Sequence, residues 1–382
     1  MTLEEVREWI EEGHKVALYC AGTHGVHIKS LFHLCGIQVD CFLDNDVEKQ
    51  GTWIDGVLCE NPEHIACRND YIIFICVAVE QYAGMLLKAE EQGLFNIKDF
   101  RLLVDDIIEN HMDLFRLILK KQNNLPAADI FYTYIEPERI NQPEPLFIGN
   151  NKIAVYTSVF GNYDVGEEPK AHPKNIDYYF VSDDKPEGLS VYQWIDAREI
   201  VPDTIRSPIK RNRFVKMHPH LIFPQYQYSI YIDGNIQIQE DISSFLCDSA
   251  SGISVFAHTR RDCIYYEALT IVNYRRVQVL DVINQMSRYL EEKMPLHYGL
   301  PEMPVIARKH HHPACVQVME IWWTEFEKES QRDQLSFMYA MWKNHMGMSD
   351  LAILGNNVRK QKKITFYEHN ADSENIANEA SK

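Results

Sequence analysis

Short apolar runs rich in β-branched and aromatic residues alternate with helical patterns along the first hundred residues. That alternation commits the chain to a sheet of parallel strands joined by crossover helices. Thr2-x-x-Glu5 opens a helix as a capping box, and strands are expected over Lys15–Tyr19, Ile37–Leu43, Tyr71–Val79 and Phe95–Ile97. Helical periodicity runs between them, through Ile28, Leu31 and Leu34 and again over Glu80–Gln92, and a long helical stretch, Asp99–Lys121, follows. Residues 122–150 mix Asn, Pro and Glu with aromatics and read as a linker. The expected organisation is a parallel-sheet domain over 1–121, the linker, a second α/β domain over 151–367 and a disordered polar tail over 368–382.

Composition removes several classes of function. The longest apolar run, Tyr71–Val79, spans 9 residues, where a membrane-crossing helix needs about 20. The N-terminus is acidic and lacks the pattern of a signal peptide. A net charge of −17 opposes any broad electrostatic grip on nucleic acid or anionic lipid. The 9 cysteines are irregularly spaced with no C-x-x-C pair, which reads as buried thiols of a cytosolic protein.

The first strand runs into Cys20-Ala21-Gly22-Thr23-His24-Gly25, and the second ends at Asp44. Glycines at such a turn let a diphosphate approach the backbone at a helix N-terminus, and a carboxylate after the second strand suits a ribose hydroxyl. Gly22, Gly25 and Asp44 are therefore candidate ligands of a nucleotide or nucleotide-sugar in a Rossmann-like domain. Cys20 stands where the first glycine of G-x-G-x-x-G belongs, and a tight turn with no ligand is the competing reading. The stretches Tyr19–Gly25, Phe42–Asp46 and Ile54–Pro62 resemble the Rossmann-like domain of bacterial surface-polysaccharide proteins.

In the second half, three strands end on polar residues: Lys152–Ser158 before Phe160–Asp164, Asp177–Val181 before Ser182–Asp184, and Ser229–Ile232 before Asp233-Gly234-Asn235. Ligands of open α/β sheets sit at such ends. Asp233 and Asn235 project from one face of an extended segment and could share a hard cation, although D-G-N is equally good hairpin chemistry. Arg206–Lys216 carries five basic and no acidic residues. Pro208 starts a helix there, in which Lys210, Arg213 and Lys216 form a row beside apolar Phe214, Met217 and Leu221, either a diphosphate grip or a solvated face. Of His310-His311-His312, only the first and third can share a face, and His310 is the candidate ligand. Trp322 and Trp323 read as core.

Val155–Asp164, Phe180–Asp184, Trp194, Arg211–Pro224, Tyr228–Ile238, Ala257–Ala268 and Arg332–Tyr339 occur in an order that resembles a glycosyltransferase-like family formerly a domain of unknown function, found in bacterial polysaccharide loci and plant Golgi proteins. The resemblance implies a GT-A type domain, a nucleotide-diphosphate sugar donor, a saccharide or glycan acceptor, and Mn or Mg. It maps the nucleotide to Tyr156, Thr157, Asp164 and Asp183 and, by analogy with the D-Q pairs of retaining transferases, the transferred sugar to Asp333 and Gln334; Lys210, Arg213 and Lys216, and His258 among its charged neighbours, are read from their charge as further donor contacts. The resemblance maps the D-x-D element, and with it the ion, to Asp233 and Asn235; His310 is a further candidate ligand on its residue type alone, in a stretch that otherwise reads as a polar loop. Asp333, Asp262 and Glu267 are the carboxylates available as catalytic base. An amide in place of the second carboxylate of the commoner D-x-D departs from the GT-A pattern.

The expectation is a soluble two-domain glycosyltransferase of surface polysaccharide or capsule biosynthesis. It would work in the cytoplasm or at the inner membrane surface, alone or as a homo-oligomer, peripheral to membrane-bound machinery and without nucleic acid. The alternatives are a nicotinamide-dependent sugar-nucleotide oxidoreductase centred on the first domain and a non-catalytic sugar-nucleotide-binding protein.

Overall fold

The computed structural model describes residues 1–133, 143–161 and 163–369. Residues 134–142 of the expected linker and 370–382 of the expected tail lie outside the described residues. The chain forms two units, Met1–Tyr134 with Tyr265–Leu296, and Ile135–Ile264 with His297–Lys382. The segment 265–296, which sequence order assigns to the second domain, therefore groups with the first. Long-range contacts explain this: Tyr266 Oη donates to Asp105 at 2.7 Å and Arg116 Nε to Ser287 Oγ at 2.9 Å.

Elements are numbered along the whole chain. The first unit holds β1 (Lys15–Tyr19), β2 (Cys41–Leu43), β3 (Trp53–Ile54), β4 (Val57–Glu60), β5 (Tyr71–Ile75) and β6 (Ile97–Lys98), in the order β3-β4-β2-β1-β5-β6. All neighbours are parallel except β3 and β4. Every residue of β5 is buried, as expected of a strand covered on both faces. Helices α1 (Leu3–Glu11), α2 (Thr23–Leu34), α3 (Val79–Glu91), α4 (Phe100–Asn110) and α5 (Met112–Gln122) belong here, with α8 (Ile264–Asn273) and α9 (Val279–Glu291). The Thr2–Glu5 capping box is present. The single helix expected over Asp99–Lys121 is two, broken at His111, whose backbone leaves the helical region at φ −128° and ψ 59°. The break lets α4 meet α1, where Leu3 N donates to Asp106 at 2.8 Å, while α5 turns toward α9.

The second unit is built on β7 (Ile153–Ser158), β8 (Ile176–Ser182), β9 (Gln193–Asp196), β10 (Tyr228–Ile232), β12 (Ile253–Ala257), β13 (Pro301–Arg308) and β14 (Ala352–Ile353). Their order is β14-β12-β13-β10-β7-β8-β9, with β13 antiparallel to both neighbours. A separate ribbon pairs β11 (Ile236–Ile238) with β15 (Ile364–Phe366). Helices α6 (Pro208–Met217), α7 (Pro219–Ile222), α10 (Pro313–Lys328) and α11 (Asp333–Lys343) complete it. Ile153, Val155, Ile230, Ile232, Ile236, Phe256 and Val305 lie in one apolar core. Trp322 is also fully buried, and its indole N–H donates to the Asp333 carbonyl at 2.7 Å. Leu221, expected on the packed face of the basic helix, is instead 59% exposed, because α6 ends at His218 before Pro219.

Because β10, β7 and β8 are parallel neighbours, Ile232, Ser158 and Ser182 end on one edge of the sheet. The three polar strand ends identified in the sequence converge there. Asp183 and Asp233 both follow directly on these ends.

Candidate active site

The edge where these strands end carries a buried charge network. Asn212 of α6 donates to the Ser158 carbonyl at 2.7 Å and docks the helix on the end of β7. Lys216, one turn later, is 1% exposed, and its ammonium lies 5.1 Å from the centre of the Tyr231 ring. That ammonium donates to Asp333 Oδ2 at 2.8 Å and stands 3.6 Å from Asp233 Oδ1. Arg213 Nε is 3.0 Å from the same Asp333 oxygen. Burial alone would raise the Asp333 carboxyl, but the adjacent Arg213 and Lys216 charges hold it well below the usual carboxylate range. Asp233 is the most open member, with 31% of its side chain exposed.

The basic row is therefore neutralised from within. Lys216 and Arg213 pair with Asp333, 117 residues from Lys216, and Lys210 reaches the Glu327 carbonyl at 3.4 Å. Of the three cations expected on a diphosphate, Lys216 is turned inward, while Lys210 and Arg213 contact α10 and α11 and keep part of their side chains at the surface.

Tyr156 is likewise a core residue. It is fully buried, donates to the Lys216 carbonyl at 3.1 Å and accepts from the buried Arg308 guanidinium. Thr157 is 2% exposed and also inside. Asp183 pairs with Arg211, whose guanidinium lies 5.3 Å from the centre of the Phe160 ring. Asp164 sits beside the D-G-N turn, since a Cβ on Gly234 would meet Val159 Cγ2 at 2.7 Å and Asp164 Oδ2 at 3.0 Å. Glycine is required at 234 by this close approach.

His369 was hidden from sequence reasoning, which placed it in a disordered tail. It donates to or pairs with Asp164 Oδ1 at 2.8 Å, and its ring lies 4.7 Å from Tyr163. The Asp164 hydrogen bond raises its pKa above the usual 6.5. No local signal marked His369, because its partner is 205 residues away. Arg211 was missed for a similar reason, as one cation among five.

Of the other candidates, His310 lies away from this edge and Glu267 belongs to the first unit, whereas Gln334 directly follows Asp333 and His258 follows β12, whose Ala257 faces Pro301 at the start of β13. His310 is fully buried, and burial pushes its imidazolium down to about 3. In the antiparallel register Ser229 faces Arg308 and Ile232 faces Val305, so His310 follows the opposite end of the sheet from Asp233, roughly 20 Å away at 3.3 Å per residue. It cannot share an ion with Asp233. His258 Nδ1 accepts from the Arg260 and Arg261 backbones at 3.1 and 3.0 Å, and Asp262 meets His297 Nδ1 at 2.6 Å. Glu267 is buried in α8, within the first unit. Gln334 Nε2 reaches the Pro301 carbonyl at 3.4 Å.

The donor set for a divalent cation is incomplete. Asn235 donates its amide to the Tyr367 carbonyl at 2.9 Å, and among the described residues no group of three or more His, Cys, Asp or Glu is placed to hold a metal. The residues present do not by themselves fit Mn or Mg.

In the first unit Cys20 adopts φ 83°, the left-handed backbone that a glycine takes without strain, so the missing glycine of the fingerprint is replaced in conformation though not in kind. A Cβ on Gly25 would fall 2.4 Å from the Cys20 carbonyl, which makes it the glycine of close helix–strand packing. Gly22 and Asp44 line a cavity of about 570 Å³ with His24, Lys49 and Gln81. Asp44 already accepts from the Ala21 and Asp46 backbones at 2.9 and 3.0 Å and pairs with Lys49 at 2.9 Å. Among the described residues no helix is long and apolar enough to cross a membrane.

An α/β protein with two mostly parallel sheets and a network of paired Asp, Lys and Arg side chains at the strand ends of the second is what fold and site define. Residues 138–369 match the TOD1/MUCI70 glycosyltransferase-like domain, and the chain belongs to that family. It is 25% identical over 211 residues to the "Probable hexosyltransferase MUCI70" of Arabidopsis thaliana, covering 48% of this chain and 36% of that protein. The chain thus spans about a third of the length of this curated relative. The WbbM bifunctional glycosyltransferase apo structure aligns at 11% identity with a TM-score of 0.31, covering 72% of this chain and 52% of that one, too loose a likeness to carry an argument.

Proposed function

We propose that the chain is a glycosyltransferase that moves a hexosyl or related sugar from a nucleotide-diphosphate donor to a saccharide or glycan acceptor, with a GT-A type second unit. The observation that carries this reading is the half-open Asp233 carboxylate at the end of β10, fixed from behind by the buried Lys216–Asp333 pair. A carboxylate held in place in this way can accept hydrogen bonds from the hydroxyls of a sugar or acceptor. Arg213, with 24% of its side chain exposed, is the member of the basic row that can meet the departing diphosphate.

Asp333 is unsuited as the base. A general base works best with a pKa near the operating pH, and two cations hold Asp333 far below it. Its role is to position Lys216.

The test is incubation of the purified chain with a panel of nucleoside-diphosphate sugars, with and without Mn, and assay of free nucleoside diphosphate. Release of diphosphate supports transfer or donor hydrolysis. Reduction of NAD without release would favour the oxidoreductase reading, whose one support is the cavity beside Gly22 and Asp44. Action in surface polysaccharide assembly, in the cytoplasm or at a membrane surface, is part of the proposal and awaits an acceptor.

A further inference from the structure

The D-G-N turn places Asn235, 9% exposed, against the C-terminal strand. There β11 and β15 pair antiparallel, with Ile236 opposite Phe366 and Ile238 opposite Ile364. Asn235 extends the ribbon by one reciprocal pair: Tyr367 N donates to the Asn235 carbonyl at 2.8 Å, and Asn235 Nδ2 donates to the Tyr367 carbonyl at 2.9 Å. Tyr367 Oη adds a bond to Gln237 Oε1 at 2.9 Å. Two residues further on, His369 meets Asp164, which itself packs on Gly234 beside Asp233.

An amide can donate to that carbonyl, whereas an ionised carboxylate can only accept. Aspartate at 235 would set an acceptor against an acceptor in a buried position, with no donor to satisfy either. The need for a donor accounts for an asparagine where metal chemistry alone would favour a second carboxylate. We propose that Asn235 is a positioning residue: its amide holds the 364–369 strap along the crevice and so sets His369 on Asp164. The inference rests on the donor-site reading for its consequence in catalysis, but the anchoring itself does not.

The test uses the full chain as wild type, Asn235→Asp, His369→Ala and the double variant, with thermal unfolding as a control for folding. Backbone hydrogen exchange over 364–369 should speed up roughly tenfold in Asn235→Asp, the loss of about one buried hydrogen bond, and stay slow in His369→Ala. Unchanged exchange in Asn235→Asp overturns the anchoring. For any nucleoside-diphosphate hexose the wild type turns over, kcat/KM should fall in both single variants and no further in the double variant, since both act through one contact. A gain in turnover or in Mn affinity for Asn235→Asp would make residue 235 a metal ligand and also overturn the proposal. If the wild type turns over no donor, the glycosyltransferase reading fails while exchange still decides the anchoring.

Discussion

Lys216 and Asp333, 117 residues apart in sequence, form a buried ion pair at 2.8 Å whose ammonium also faces Asp233 at 3.6 Å. The pair links α6 to the start of α11 and holds the partly exposed Asp233 carboxylate at the strand-end edge. Breaking it by Lys216→Met leaves Asp333 with Arg213 and the weaker influence of Arg332, and the expected loss is about 3 kcal/mol in urea unfolding. The double variant Lys216→Met/Asp333→Asn should recover little of that stability, because it leaves Arg213 without the carboxylate that lies 3.0 Å from its Nε.

Acid should unfold the protein in two windows. Burial pushes His27 from 6.5 down to about 4, so its neutral form stabilises the fold above pH 6.5 and that contribution is lost as pH falls toward 4. Asp333, depressed from 3.8, contributes above about pH 4 and loses its contribution only as pH falls below that value toward its own lower pKa. Urea midpoints measured from pH 8 to pH 3 should show the first decline, and because His310, pushed down to about 3, and the lowered His218 and His220 share this window, His27→Gln should flatten it only in part. An unchanged slope in that variant would remove His27 as the cause.

Tyr156 was expected on the donor and is found inside the core, its hydroxyl between Arg308 and the Lys216 carbonyl. Tyr156→Phe should therefore lower stability by about 1 to 2 kcal/mol and leave the KM for any turned-over donor unchanged. A raised KM at full stability would return the residue to the binding surface.

Gly234→Ala would bring a methyl group to 2.7 Å from Val159 Cγ2 and 3.0 Å from Asp164 Oδ2. The expected cost is about 1 to 3 kcal/mol of overpacking, with donor turnover falling more steeply than stability because Asp164 and Asp233 are displaced together. Melting temperature and turnover measured on the same preparation separate the two effects.

Local signals carried much of the architecture. The apolar periodicity of β1, β5, β7 and β10, and the polar residues after β7, β8 and β10, were legible because strands and their ends are written in adjacent residues. The sequence could not tell that Lys216 would be turned inward, since the carboxylate that draws it lies at Asp333. His310 misled for the converse reason: its residue type suited a metal, but the antiparallel register of β13 carries it to the far end of the sheet. His369 was lost because it stands three residues beyond the end of β15 at the start of a polar stretch, and its partner Asp164 is far away in sequence. Helices α8 and α9 joined the first unit through side chains such as Tyr266 and Ser287, which no linear reading of boundaries can weigh.

The central claim is that the Asp233 carboxylate serves transfer from a nucleoside-diphosphate sugar. Its most direct test is release of nucleoside diphosphate from a donor panel by wild type and by Asp233→Asn, compared at equal thermal stability. The account predicts turnover of at least one donor by the wild type and a fall of roughly 10²- to 10³-fold in the variant. Turnover in Asp233→Asn equal to that of the wild type, or a folded wild type that releases nothing from any donor, would contradict it.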